Sequence, residues 1–138
     1  MNWGRVALAA VGAFATIFAM ECVIHHGILG EFYKAHAGWW RPEAEMKAMM
    51  PIMLAAQVLL AALLVVVYGK GYEANKGGVG QGVRFGLLIG MLLMLPTSLV
   101  NFVVYPYPAS LISTWLIGGM IELTLVGAVI GLLYKPLK

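Results

Sequence analysis

Four long apolar runs divide the chain, at Val6 to Gly27, Ile52 to Tyr68, Phe85 to Val104 and Leu111 to Tyr134. A bilayer core takes about 20 apolar residues to cross as a helix, and each run is close to that length. A membrane β-barrel would instead show short alternating segments, so the pattern predicts an all-α integral membrane protein. The expected fold is a four-transmembrane-helix bundle in a single domain spanning 1–138, with helices over about 6–27, 52–68, 85–104 and 111–134. Arg5 ahead of the first run gives it the look of a signal peptide, but it is read as a retained helix.

The segments between the runs are short except for the first, from Ile28 to Met50. It holds Phe32, Tyr33, Trp39 and Trp40, residues that favour the headgroup level, followed by RPEAEMKAMM. Pro42 with Glu43 and Glu45 behind it marks a helix start, so a short interfacial helix is expected in this loop, running into the second span near Pro51. Pro106 and Pro108 stiffen the last connection.

Composition agrees with this pattern: the 138 residues are 62% hydrophobic and 11% charged, too apolar for a domain wetted on all sides. The net charge of +3 is spread over the loops, which argues against a nucleic-acid partner and makes the lipid bilayer the expected one. With the N-terminus inside, Arg5, Lys70, Lys76, Arg84, Lys135 and Lys138 lie on the cytoplasmic side, against Lys34, Arg41 and Lys47 outside. That bias predicts both termini in the cytoplasm. The loop GKGYEANKGGVGQG lacks the phosphate-binding pattern and follows no strand, so it is not read as a nucleotide site.

Gly78, Gly82, Gly86 and Gly90 recur every four residues and form a helical stripe that lets another helix come close; Gly127 and Gly131 repeat the spacing. The stripes serve either packing within the chain or a contact in a homo-oligomer or larger membrane complex.

Chemistry is concentrated in MECVIHHGILGEFY, where Glu21 and His25 stand one turn apart on one helix face, and Cys22 and His26 form a second such pair. Glu122 in the fourth helix falls at about the same depth as Glu21. Gln57 comes from the second helix, and Thr97, Ser98 and Asn101 follow Pro96 in the third. All lie in the outer half, whereas the inner half is almost wholly apolar. Intramembrane carboxylates are costly when they face lipid, so an outward-facing polar pocket is expected from Glu21, His25, Gln57, Asn101 and Glu122.

Carboxylate and imidazole at one-turn spacing, completed by a carboxylate from another helix, is how bundles build transition-metal sites. The candidate ligands are Glu21, His25 and Glu122, with His26, Cys22 and His36 as extras; an axial haem histidine is a further alternative. The opposing reading has Glu21 bonded to His25, and Glu122 bonded to Trp115, Asn101 or Gln57, as helix-packing contacts. The nine methionines are read as flexible core filling and Cys22 as a small hydrophobe. The expected function is binding of a ligand, metal or cofactor in this pocket, or service as an accessory subunit. The alternative is proton-coupled transport of a small molecule or ion using the intramembrane glutamates. Whether the protein is an enzyme is left open.

The segment GVRFGLLIGMLLMLPTSLVNFVVYPYPASLISTWLIGGMIELTLVGAVIGLLYKP, with its glycine-spaced third helix, its proline, Trp115, Glu122, Gly127 and Gly131, resembles a bacterial family of small four-helix membrane proteins classed as a domain of unknown function. The resemblance implies the four-helix fold and an inner-membrane location, and implies no particular chemistry.

Overall fold

The computed structural model of the protein describes residues 2–135, so Lys138, one of the cations used above to set the orientation, lies outside the described residues. Helix α1 spans Trp3–Glu21 and continues without a break through a wider π-helical segment, Cys22–Ile28. Two short helices follow, α2 (Gly30–Ala35) and α3 (Glu43–Ala48), then the long helices α4 (Met50–Lys70), α5 (Val79–Val104) and α6 (Ala109–Leu133). Among the described residues there is no strand. Four helices are long and apolar enough to cross a membrane.

Local chemistry accounts for most of the boundaries. Asn2 caps α1, its Oδ1 accepting from the Arg5 backbone N–H at 3.3 Å. Pro42 precedes α3 with Glu43 and Glu45 in the first turn, as expected, and Pro51 sits in the first turn of α4, where its missing N–H costs nothing. The third long helix departs from expectation by starting at Val79 and not near Phe85. Its first turns carry Gln81 and Arg84, which interrupt the apolar run, but Gly78 at φ +92° turns the chain into the helix. Gln81 is then buried: its amide donates to the Gly71 carbonyl at 3.0 Å and its oxygen accepts from the Tyr68 hydroxyl at 3.4 Å. The segment Gly30–Ala35 is also helical, where the sequence reading saw only an aromatic connection.

The helices pack in the order α4, α1, α6, α5. Small residues set that order. Ala9 and Ala13 on the buried face of α1, with Val6 and Ile17, form the core together with Leu64, Val65 and Val126. The closest approach is between α5 and α6, where Gly82 meets the Gly127 backbone and Gly86 meets Leu123 and Thr124. Gly131 faces Gly78 and Gly82, so both glycine stripes are occupied by each other within one chain. By contrast, α4 and α5 have no extensive contact. They are held near the connection over residues 71–78 by Gln81 and by the Tyr68 ring, whose centroid is 5.3 Å from that of Phe85 and 5.5 Å from that of Tyr134.

Candidate functional site

At the other end of the molecule the gap between α4 and α5 holds a cleft of about 290 Å³. All four long helices contribute to it. Leu60 comes from α4, Leu93, Met94, Thr97, Ser98 and Asn101 from α5, and Trp115, Gly119, Glu122 and Leu123 from α6; Glu21, Ile24 and His25 complete it at the end of α1. Of the five residues expected to form a pocket, Glu21, His25, Asn101 and Glu122 therefore meet. Gln57 does not line the cleft: on α4 the position that reaches it is Leu60, one turn further in, and the Gln57 Oε1 is enclosed without a hydrogen-bond partner among the described residues.

A directed chain of hydrogen bonds closes the α1 side. The Trp115 indole donates to the Tyr33 hydroxyl oxygen at 2.9 Å, the Tyr33 oxygen lies 2.7 Å from His25 Nδ1, and His25 Nε2 lies 3.3 Å from Glu21 Oε2. A carboxylate at Glu21 only accepts, so a neutral His25 carries its hydrogen on Nε2 and leaves Nδ1 to accept from the Tyr33 hydroxyl, whose oxygen accepts from the indole. The expected Glu21 and His25 pair is thus present, and Tyr33, a residue of the long aromatic connection, fixes its orientation.

The π-helical segment explains how the chain reaches Tyr33. In it Leu29 N–H bonds to Ile24 O at 2.9 Å, five residues back, which widens the helix just after Glu21. The turn into α2 then brings Tyr33 over His25, the two rings nearly parallel with centroids 5.8 Å apart. The loop continues as an aromatic cap. Trp40 packs on Tyr33 at 5.2 Å and on Tyr107 at 5.6 Å, and Tyr107 meets the edge of Trp115 at 5.7 Å. Burial under this cap pushes the Tyr33 phenol above its ordinary pKa. The Trp115 N–H donation works in the opposite direction, and the nearby Glu21 charge adds to the rise.

Glu122 stands apart from this chain. It is only 6% exposed, lines the cleft, and makes no side-chain hydrogen bond or ion pair with any described residue. The expected packing contact with Trp115 is absent, since that indole is bonded to Tyr33.

The metal-site expectation is not supported. Among the described residues no three His, Cys, Asp or Glu side chains are grouped so as to hold an ion. His25 Nδ1 is engaged by Tyr33, and His26 projects to the surface. Cys22 is half-buried, and His36 is stacked on Phe32 with centroids 4.2 Å apart while its Nδ1 bonds to the Phe32 carbonyl at 2.9 Å.

Comparison with protein-family models, with curated proteins and with solved structures gives no match to this chain.

Proposed function

We propose that the protein is an integral membrane protein of the bacterial inner membrane, with both termini cytoplasmic, whose outward-facing cleft binds a small ligand. The observation that carries this reading is Glu122, a buried carboxyl with no partner in the protein, facing a cleft to which every long helix contributes. Its carboxyl oxygens are not sealed among protein atoms as the Gln57 Oε1 is, so they are open to a ligand in the cleft. The cleft's size is near the lower bound of small-molecule sites.

Exposed Leu59, Leu92, Val103 and Leu132 on the outer faces of the helices suit a lipid surround. The orientation rests on the basic residues alone: Arg5, Lys70, Lys76, Arg84 and Lys135 lie on the proposed cytoplasmic side, against Lys34, Arg41 and Lys47 on the other.

Binding is favoured over proton-coupled transport by what lies beneath Glu122. There the core is Leu123, Val126 and Ile130 against Ile17, Leu64 and Val65, closed further in by Tyr68 and Tyr134. An apolar layer thus separates the cleft from Tyr68 and Gln81 at the opposite end.

Cysteine accessibility tests the reading. In a Cys22→Ser background, Asn101→Cys should react with a membrane-impermeant thiol reagent added to spheroplasts, and Leu64→Cys should not. Labelling of Asn101→Cys only in inverted vesicles would reverse the orientation, and no labelling from either side would remove the open cleft.

A further inference from the structure

We propose that the ligand of this cleft is an amphiphilic organic cation, an ammonium group on an apolar tail, which enters sideways from the outer leaflet between α4 and α5. The inference rests on the binding reading above and names the class of molecule that the site accepts.

The charge pattern of the cleft selects the head. Two carboxyl groups, Glu21 and Glu122, line it, and no lysine or arginine does. His25 is the one basic side chain in the lining, and it is tied to Glu21 on one nitrogen and Tyr33 on the other. Glu122 is left without a counter-charge in surroundings that are mostly apolar, the condition in which a bound cation gains most from a carboxylate. Trp115, on the same wall, offers an indole to the substituents of an ammonium group, which is the side chain best suited to that contact. A phosphate or carboxylate headgroup would meet repulsion from both glutamates and find no base to pair with. A hydrated inorganic ion would be poorly served by walls of Leu60, Leu93, Met94 and Leu123.

The packing order selects the route and the tail. Because α4 and α5 are joined near the inner loop and do not pack along their length, the outer part of the gap between them is open on the side that faces lipid. Leu93 and Thr97 line the cleft and are also exposed on α5, so the mouth lies at the depth of acyl chains and not only at the water surface. The opposite side is closed by the Tyr33, Trp40, Tyr107 and Trp115 cap. A volume of about 290 Å³ accommodates a substituted ammonium head with a few methylenes, and a longer tail must run out past Leu60 and Leu93 into the bilayer.

The test is calorimetric titration of the full chain in a maltoside detergent with four probes: decyltrimethylammonium, tetramethylammonium, decanol and decyl sulfate. Decyltrimethylammonium should bind saturably with one site per chain. Tetramethylammonium and decanol should each bind at least tenfold more weakly, and decyl sulfate should show no saturable binding. Glu122→Gln should weaken decyltrimethylammonium at least tenfold, with Glu122→Asp retaining part of the affinity.

Equal binding of decanol and decyltrimethylammonium would overturn the choice of cation while leaving a binding cleft. Tetramethylammonium binding as tightly as the long-chain probe would place the source in water and overturn lateral entry. Saturable decyl sulfate binding, or no saturable probe at all, would overturn the proposal. These wild-type arms decide the matter even if Glu122→Gln fails to fold. The cysteine labelling described above uses none of these probes, so failure of the cleft itself is seen separately.

Discussion

Substituting Gly86 by alanine should move the wall of α5 away from α6 and loosen the whole site. At this position the added Cβ would collide with the Leu123 carbonyl oxygen and lie 2.9 Å from the Thr124 Cα, where ordinary contact begins at 3.4 Å. The second contact alone requires a retreat of 3.4 − 2.9, about 0.5 Å, and the carbonyl requires more. Both obstacles are helix backbone and cannot rotate aside as a side chain would. A gap of 0.5 to 1 Å forfeits roughly a quarter to a half of each dispersion contact across the seam. Overpacking of this kind costs about 1–3 kcal/mol, and the better helix propensity of alanine returns at most about 1 kcal/mol. Because both obstacles are backbone, the upper end of that range applies, and a net loss of about 2 kcal/mol (3 − 1) is expected in a reversible detergent-denaturation titration. Gly80→Ala is the control, because its Cβ would meet nothing within 4 Å on the same helix, and it should be neutral or slightly stabilising. If Gly86→Ala and Gly80→Ala were equally stable, the interlocked seam between α5 and α6 would be wrong.

Three further outcomes are expected. Tyr33→Phe removes the acceptor of the Trp115 indole and the donor to His25 Nδ1, and should destabilise by about 1–3 kcal/mol; paired with Trp115→Phe, a double-mutant cycle should return a coupling of about 0.5–1.5 kcal/mol, and zero coupling would remove the bridge. Glu122→Gln should leave the thermal denaturation midpoint essentially unchanged, since it keeps the side chain's shape and removes no hydrogen bond or ion pair, whereas a carboxyl that holds helices together would show a clear loss. The raised pKa of Tyr33 means that the folded state holds this proton more tightly than the unfolded chain does; its bridge should be fully present below pH 10 and lost as the pH climbs above that, seen as a delayed phenolate absorbance that Tyr33→Phe abolishes.

The parts of this fold legible in the sequence are those set by composition along one helix. The four apolar runs, the Pro42 start of α3 and the glycine spacing all act locally, and each is found in the structure. Glu21 and His25 were legible as a pair for the same reason, because one-turn spacing fixes proximity. Their convergence with Asn101 and Glu122 followed from depth alone. Depth does not fix the rotation of a helix about its axis, which is why Gln57 fell outside the cleft while Leu60 lines it. Nor could local spacing reveal Tyr33 over His25. That placement depends on the π-helical widening at Cys22–Ile28 and on a bond to Trp115, which is 82 residues away along the chain. The candidate metal ligands, adjacent in one dimension, are not grouped in three among the described residues, because side chains one residue apart on a helix point about 100° apart.

The central claim is that Glu122 is a partnerless carboxyl facing a cleft that can be entered from the lipid. A lipid-soluble carbodiimide adds across a protonated carboxyl to leave a stable N-acylurea, and peptide mass spectrometry locates the adduct. We predict modification of Glu122 in the folded protein, slowed by decyltrimethylammonium and unaffected by decyl sulfate. A folded protein in which the exposed Glu31, Glu43 and Glu45 are the only residues modified would contradict the account.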